Sequence, residues 1–289
     1  MLAKYEEKTY ESYFNSELDK RSSIYFPFGQ VQEGGIGADS AAMSKDIWIW
    51  RILGFRKKSW LRFSGIDLME VAKIMNDLIE DEIKNIPSIK TNLLFQYKRP
   101  ELITTANGKE WFYWNQEYYR YPIYKEQQIL LEKLDKRFGT KALILYASPA
   151  IYDINDLVQA KINGTIIEST NFCKVNKLKG HHRNTYIKSG NNSFACSEPE
   201  ELPHFDLLVN LVQLEYKRDV VNTTAVLDFT SELRRTVEED PYIGESFRAL
   251  LMPYQERELD RFKFLYEYIA MAIFRELTGI QWLVSVDSR

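Results

Sequence analysis

The residues with the clearest capacity for chemistry lie in one apolar stretch, Leu93–Pro100, which reads Leu-Leu-Phe-Gln-Tyr-Lys-Arg-Pro. Side chains of a β-strand alternate between its two faces, so Gln96 and Lys98 should share one face and Phe95 and Tyr97 the other. This pattern places an amide oxygen beside an ammonium group. Because a lysine is rarely buried without a partner, we expect either a carboxylate or a bound phosphate next to it.

A second polar segment, Gly29–Ala42, contains several glycines together with Glu33 and Asp39. Glycines allow backbone conformations that other residues avoid, and by itself the segment is typical of a surface loop with solvated acids. Carboxylate and amide oxygens bind hard divalent cations, and a lysine can orient an attacking water and offset charge on a phosphate. Together with Gln96 and Lys98, the two acids therefore indicate metal-dependent phosphodiester hydrolysis.

Alternating helical and strand patterns surround these residues. Apolar spacing predicts helices over residues 5–20, 66–86 and 125–138, and a buried strand over residues 142–147. Aromatic residues dominate Trp111–Tyr124, where a turn signal predicts a hairpin, with a base-stacking surface as the alternative. After His204 the pattern is mostly helical, with an interruption at Pro253, and Ile280–Val286 predicts a final strand. The order predicts an α/β core at residues 1–200 and a helical portion at residues 201–289 packed on it.

Composition narrows the class of protein. The chain has 289 residues, is 45% hydrophobic and carries a net charge of -3, values typical of a globular protein that does not bind nucleic acid broadly and non-specifically. Cys173 and Cys196 lack the spacing of a zinc site. The first residues lack the apolar core of a signal peptide, and no apolar run approaches the roughly 20 residues that span a bilayer. We therefore expect a cytoplasmic protein that does not insert into a membrane.

Glu33, Asp39 and the Gln96-x-Lys98 pair resemble the PD-(D/E)XK nuclease superfamily, in the variant in which glutamine replaces the second acid. Tyr146–Pro149 and Ser197–Pro199 are also similar to segments of uncharacterised prokaryotic proteins that carry the same glutamine-x-lysine strand. The resemblance implies a restriction-endonuclease-like α/β fold, with a mixed central sheet flanked by helices. It also implies a nuclease of the restriction or phage-defence kind.

The resemblance assigns a role to each of the four residues. Asp39 would be a metal ligand, Gln96 a weaker oxygen ligand, and Glu33 an acid at or next to the metal. Lys98 would orient the attacking water and contact the phosphate. The implied cofactor is magnesium or manganese, and the implied partner is nucleic acid, more often DNA than RNA. A partner protein of a defence operon and a homo-oligomer are further implications of the same resemblance.

The identity of the acids stays open. The separation between Asp39 and Gln96 is long and includes a predicted helix, so Asp46 or Asp67 could be the metal aspartate instead. In the superfamily a glutamate on a helix accompanies the metal aspartate. Either Glu33 or Glu17 could be this glutamate, and Glu17 is the one predicted to lie on a helix.

Three further alternatives remain. In the superfamily, a helix after the lysine strand often carries a glutamine, and either Gln127 or Gln128 could match it. Because an amide is a poorer metal ligand than a carboxylate, the fold could instead be a catalytically degenerate module that binds nucleic acid or a protein in a defence system. Finally, Lys98 could simply pair with an acid inside a structural core.

Overall fold

The computed structural model describes residues 1–25, 68–187, 193–195, 200–213 and 221–287. Four acids considered above, Glu33, Asp39, Asp46 and Asp67, lie outside these residues, as does Cys196. The described part is a mixed α/β protein, which confirms the predicted fold class. None of its helices combines the length and the apolar character needed to cross a membrane.

The chain folds into two compact units, each built from separate segments. Unit 1 comprises Met1–Ile24, Ile89–Lys217 and Thr278–Arg289, and unit 2 comprises Tyr25–Ser88 and Arg218–Leu277. This division differs from the predicted boundary between residues 200 and 201. The last strand of the chain belongs to unit 1, whereas the helix predicted at residues 66–86 belongs to unit 2.

The described strands form two five-stranded sheets. Labels follow chain order: β1 Ile24–Tyr25, β2 Ile89–Tyr97, β3 Glu101–Ile103, β4 Tyr118–Pro122, β5 Ala142–Pro149, β6 Thr170–Lys174, β7 Arg183–Tyr186, β8 Ser193–Ala195, β9 Glu200–Leu202 and β10 Ile280–Val286. The first sheet has the order β1-β10-β2-β5-β6, and the second has the order β3-β4-β7-β8-β9. We call the first the central sheet. It contains β2 and therefore positions Gln96 and Lys98.

Strand β2 lies in the middle of the central sheet. It pairs antiparallel with β10, where Leu93 faces Leu283, and parallel with β5, where Phe95 faces Leu145. The other neighbour of β5 is β6, and this pair is antiparallel, so the sheet is mixed. A strand flanked on both sides tends to be buried, as β2 is from Leu93 to Tyr97, and this explains the apolar run of its sequence.

The described helices comprise α1 Glu7–Arg21, α2 Leu68–Asn85, α3 Trp111–Trp114, α4 Lys125–Phe138, α5 Ile154–Asn163, α6 Leu207–Gln213, α7 Asn222–Glu238, α8 Gly244–Gln255 and α9 Lys263–Thr278. Helix α1 buries Tyr10, Phe14 and Leu18, which are spaced four residues apart and so share one face. The Phe14 ring packs edge-on against Phe95 and Tyr97 of β2, with ring centroids 5.5 and 5.6 Å apart. This contact covers the face of β2 opposite to the polar pair.

Unit 2 is mainly helical in the part that the structure describes. Helix α7 buries Val226, Phe229, Leu233 and Val237 at helical spacing. Asn222 donates a hydrogen bond to the carbonyl oxygen of Ile86 at 2.8 Å, which connects the start of α7 to the segment that follows α2.

Two local predictions need correction. For Trp111–Tyr124 the sequence predicted a hairpin or a strand pair after the turn signal Asn107-Gly108; only Tyr118–Pro122 is a strand, which pairs antiparallel with β3 before that turn, and Trp111–Trp114 forms one helical turn. Pro253 does not interrupt its helix; it lies inside α8, which continues to Gln255. The helix over residues 125–138 and the final strand Ile280–Val286 are confirmed at the predicted bounds.

Candidate functional site

One glutamine joins the two residues of the predicted pair. Gln127 Oε1 accepts a hydrogen bond from Lys98 Nζ at 2.6 Å, and Gln127 Nε2 donates one to Gln96 Oε1 at 2.7 Å. A single side chain therefore contacts both partners, as the prediction that Gln96 and Lys98 share a face requires. Gln127 Nε2 also lies 3.3 Å from the carbonyl oxygen of Thr278, at the end of α9.

The backbone around Lys98 is fixed on β5. The Lys98 amide donates to the carbonyl oxygen of Ala147, and the Lys98 carbonyl accepts from Ser148 Oγ, both at 2.9 Å. Ser148 in turn accepts a hydrogen bond from Tyr186 of the second sheet at 2.7 Å. The lysine thus follows directly after the last residue of β2, in a position held by hydrogen bonds from the neighbouring strand.

The Lys98 side chain is 5% exposed and lies between two aromatic rings. Its Nζ is 4.8 Å from the ring centroid of Tyr124 and 5.7 Å from that of Tyr146, both within cation–π range. Tyr146 is fully buried, whereas Tyr124 is 62% exposed. The ammonium group therefore lies near one buried ring and one largely exposed ring.

Burial controls the protonation of Lys98. Because removal from water disfavours the charged form, burial lowers the pKa of Lys98 from 10.5 to about 8. The carboxylate of Glu7, on the first turn of α1, acts in the opposite direction. Among the described residues Lys98 forms no ion pair, and its hydrogen-bond partner is the uncharged Gln127. The alternative in which Lys98 pairs with an acid in a structural core is thus not found in the described part of the chain.

Glu7 is the acid that the sequence interpretation missed. Its Oε2 accepts a hydrogen bond from the Arg99 amide at 3.2 Å, and burial raises the pKa of Glu7 while Lys98 lowers it. An acid in the first turn of a helix is common, because it complements the positive end of the helix dipole. The only signal in the sequence was its spacing of four residues from Glu11, which places both acids on one face of α1.

The other predicted residues have different positions. Gln128 is buried and structural: it accepts from the Tyr146 hydroxyl at 2.8 Å and donates to Glu132 and to the carbonyl oxygen of Val175. Glu17 accepts from the backbone amides of Ile166 and Ile167 at 2.8 and 3.1 Å. Its two oxygens therefore fix a turn between α5 and β6.

A hard cation such as magnesium prefers several oxygen ligands, with carboxylates among them. Of the predicted metal ligands, only Gln96 is described, and its amide oxygen already accepts a hydrogen bond from Gln127. No group of three or more histidine, cysteine, aspartate or glutamate side chains in the described ranges could hold a metal ion. The described residues alone therefore do not fit a magnesium site, which would need an acid from outside them.

Comparison of the chain with protein-family models, with curated proteins and with solved structures gave no match.

Proposed function

We propose that this chain is a metal-dependent nuclease in which Lys98 assists the attack of water on a phosphodiester. The single observation that supports it most is the state of Lys98: a buried ammonium group, without an ion pair to any described residue, held by the uncharged Gln127. A buried cation is stabilised when an anion binds beside it, and a phosphate supplies that charge.

Lys98 has two consistent roles in this reaction. In its charged form it donates a hydrogen bond to a phosphate oxygen, and in its neutral form it accepts a proton from water. A group with a pKa near the working pH serves best as a proton acceptor, and a pKa of about 8 meets that condition. Gln127 keeps Nζ in place through its amide oxygen, so the lone pair of the neutral amine has a fixed orientation.

The exposed ring of Tyr124 supports a nucleotide substrate. One of its faces lies over Lys98 Nζ, and the ring as a whole is 62% exposed. Nucleobases stack on exposed aromatic rings regardless of sequence. We therefore propose that Tyr124 stacks on the base of the nucleotide next to the scissile phosphate.

The proposed metal ligands are Asp39 and Gln96, with Glu33 as a further ligand or as an acid beside them. A bound magnesium or manganese ion would supply positive charge to the phosphate and acidify a bound water. The chain's own residues then position the substrate and move the proton, as described for Lys98 and Gln127. Asp46 and Asp67 remain alternatives to Asp39.

Calorimetric titration with magnesium and manganese tests the metal assignment. We expect wild type to bind the ion and to cleave DNA, and Asp39→Ala to lose both while keeping its circular dichroism spectrum. Asp46→Ala and Asp67→Ala serve as matched controls that should retain both activities. If Asp39→Ala binds metal and cleaves as wild type does, the assignment of Asp39 is wrong; loss in a control variant moves the role to that residue.

The second candidate is a degenerate nuclease fold that binds nucleic acid or a partner protein without cutting. The observation in its favour is the chemistry of the described site, where two amides and one lysine form the hydrogen-bonded cluster. This candidate predicts binding of DNA that is independent of magnesium and no cleavage at any metal concentration. The nuclease proposal further includes DNA as the preferred substrate, a role in defence, a partner protein, a homo-oligomer and a cytoplasmic location.

A further inference from the structure

Unit 2 contains a cavity of about 490 Å³. Residues of α7, the end of α8, the turn Leu259–Arg261 and the start of α9 line it. Its volume lies in the range of pockets that hold small organic molecules. Its lining is mainly polar and charged, so a ligand would be recognised through hydrogen bonds and charge.

Among the lining residues is a buried glutamate, Glu267, of which one carboxylate oxygen is satisfied. Glu267 is 4% exposed, and its Oε1 accepts hydrogen bonds from Ser231 Oγ at 3.0 Å and from Arg234 Nε at 3.2 Å. Glu267 Oε2 is buried and has no hydrogen-bond partner among the described residues. A buried polar atom without a partner is costly, so a donor supplied by a ligand would be favourable here.

Arg234 is already neutralised by its neighbours. Its Nη1 donates to Glu238 Oε1 at 3.0 Å and its Nε to Glu267, and its guanidinium group stacks 5.3 Å from the ring centroid of Tyr266. One positive charge is therefore shared between two carboxylates. An anionic ligand would have to compete with both for the same guanidinium group.

The rim adds negative charge. Asp228 on α7 and Asp260 in the connecting turn are exposed lining residues, and Lys263 is an exposed lining cation. The three lining carboxylates, Asp228, Asp260 and Glu267, outnumber the two lining cations in the described part of the unit. The balance favours a ligand that carries positive charge.

We propose that this cavity binds a small aliphatic amine, whose ammonium group donates a hydrogen bond to Glu267 Oε2 while Asp228 and Asp260 attract it at the rim. An ammonium group has three donors and no acceptor, so it satisfies an acceptor-only carboxylate. Burial raises the pKa of Glu267 and Arg234 opposes this effect; a second cation would act in the same direction as Arg234. The cavity belongs to unit 2 and Lys98 to unit 1, and amine binding does not depend on the nuclease proposal.

Calorimetric titration of the full chain with 1,4-diaminobutane tests the inference, with 1,4-butanediol as an uncharged ligand of similar length. We expect the diamine to bind and the diol not to bind. Glu267→Gln keeps the shape of the side chain and removes its charge, and we expect it to weaken diamine binding at least tenfold. Glu245→Gln removes the same charge from an exposed position on α8 outside the lining, and it should bind as wild type does.

Asp228→Lys provides a second variant that keeps the inference testable if Glu267→Gln fails to fold. Asp228 is exposed, so the change should leave the fold intact and weaken diamine binding by reversing the charge at the rim. Absence of diamine binding to wild type, equal binding of the diol, or unchanged affinity in Asp228→Lys would overturn the inference.

Discussion

Gln127 Oε1 accepts a hydrogen bond from Lys98 Nζ at 2.6 Å, so among the described residues the buried lysine is held by an amide and not by a carboxylate. An amide partner carries no charge, so it does not itself compensate the positive charge of the ammonium group. It also leaves the pKa of Lys98 low, because no described carboxylate forms an ion pair with Lys98 and the effect of Glu7 does not cancel that of burial. Both properties suit a residue that meets a phosphate and exchanges a proton, and both can be measured.

Lys98→Met should stabilise the protein at pH 7. A pKa lowered from 10.5 to about 8 corresponds to about 3 kcal/mol of destabilisation by the buried charge. Loss of the hydrogen bond to Gln127 offsets about 1 kcal/mol of the gain, so we expect a net increase of about 2 kcal/mol. Urea unfolding measures this value, and Lys136→Met, at an exposed position on α4, should change it by less than about 0.5 kcal/mol.

The same residue makes stability depend on pH. Between pH 8 and pH 10.5 the unfolded chain binds the Lys98 proton and the folded chain does not, so the free energy of unfolding should rise with pH across this window. Below pH 8 both states are protonated and the penalty is complete. Lys98→Met should remove this component of the pH dependence, and an unchanged slope in that variant would contradict the low pKa.

Cleavage activity should rise with pH and level off above about pH 8, because the neutral amine is the form that accepts a proton. Lys98→Arg should be inactive throughout, since a guanidinium group remains protonated in this range. A profile of kcat/KM against pH measures the midpoint of this rise. A rate that falls as pH rises through 8 would assign the function to the charged lysine alone.

Gln127→Glu should move this midpoint to higher pH, because a carboxylate 2.6 Å from Nζ stabilises the charged lysine. Gln127→Leu should lower kcat by about tenfold, since Nζ loses the group that orients it. The shift of the midpoint distinguishes a positioning residue from a merely structural one. A profile that both variants leave at its wild-type midpoint and rate would show that Gln127 does not act on Lys98.

Glu7→Gln should move the midpoint in the opposite direction, to lower pH, because Glu7 raises the pKa of Lys98. Glu17→Gln is the matched change on the same helix. It should leave the midpoint unchanged and lower stability by about 1–3 kcal/mol, since its oxygens accept from the Ile166 and Ile167 amides. If Glu17→Gln shifted the midpoint and Glu7→Gln did not, then Glu17, and not Glu7, would act on the site.

The sequence was informative about the cluster where one strand and one helix decided the geometry. Strand alternation placed Gln96 and Lys98 on one face, and the apolar spacing of residues 125–138 placed Gln127 on the first turn of the following helix. The choice between Gln127 and Gln128 needed the structure. Adjacent helical residues point about 100° apart, and only the register of α4 against β2 decides which one meets Lys98.

Other features depend on contacts between distant segments. Glu7 acts on Lys98 although 91 positions separate them, and nothing local marks it as different from a capping acid. The segment Trp111–Trp114 is a helical turn with no buried residue, whereas aromatic residues favour strands mainly where sheet neighbours pack against them. Strand β10 joins β2 from the far end of the chain, so a division of the sequence at residue 200 could not anticipate which segments cluster together.

Cleavage of labelled DNA in magnesium by wild type and by Lys98→Met, purified in parallel, tests most directly whether Lys98 takes part in the reaction. We expect wild type to cleave, and we expect Lys98→Met, folded and at least as stable, to cleave about 10²–10⁴-fold more slowly. Equal cleavage by the two proteins, or no cleavage by wild type in magnesium or manganese, would contradict this expectation.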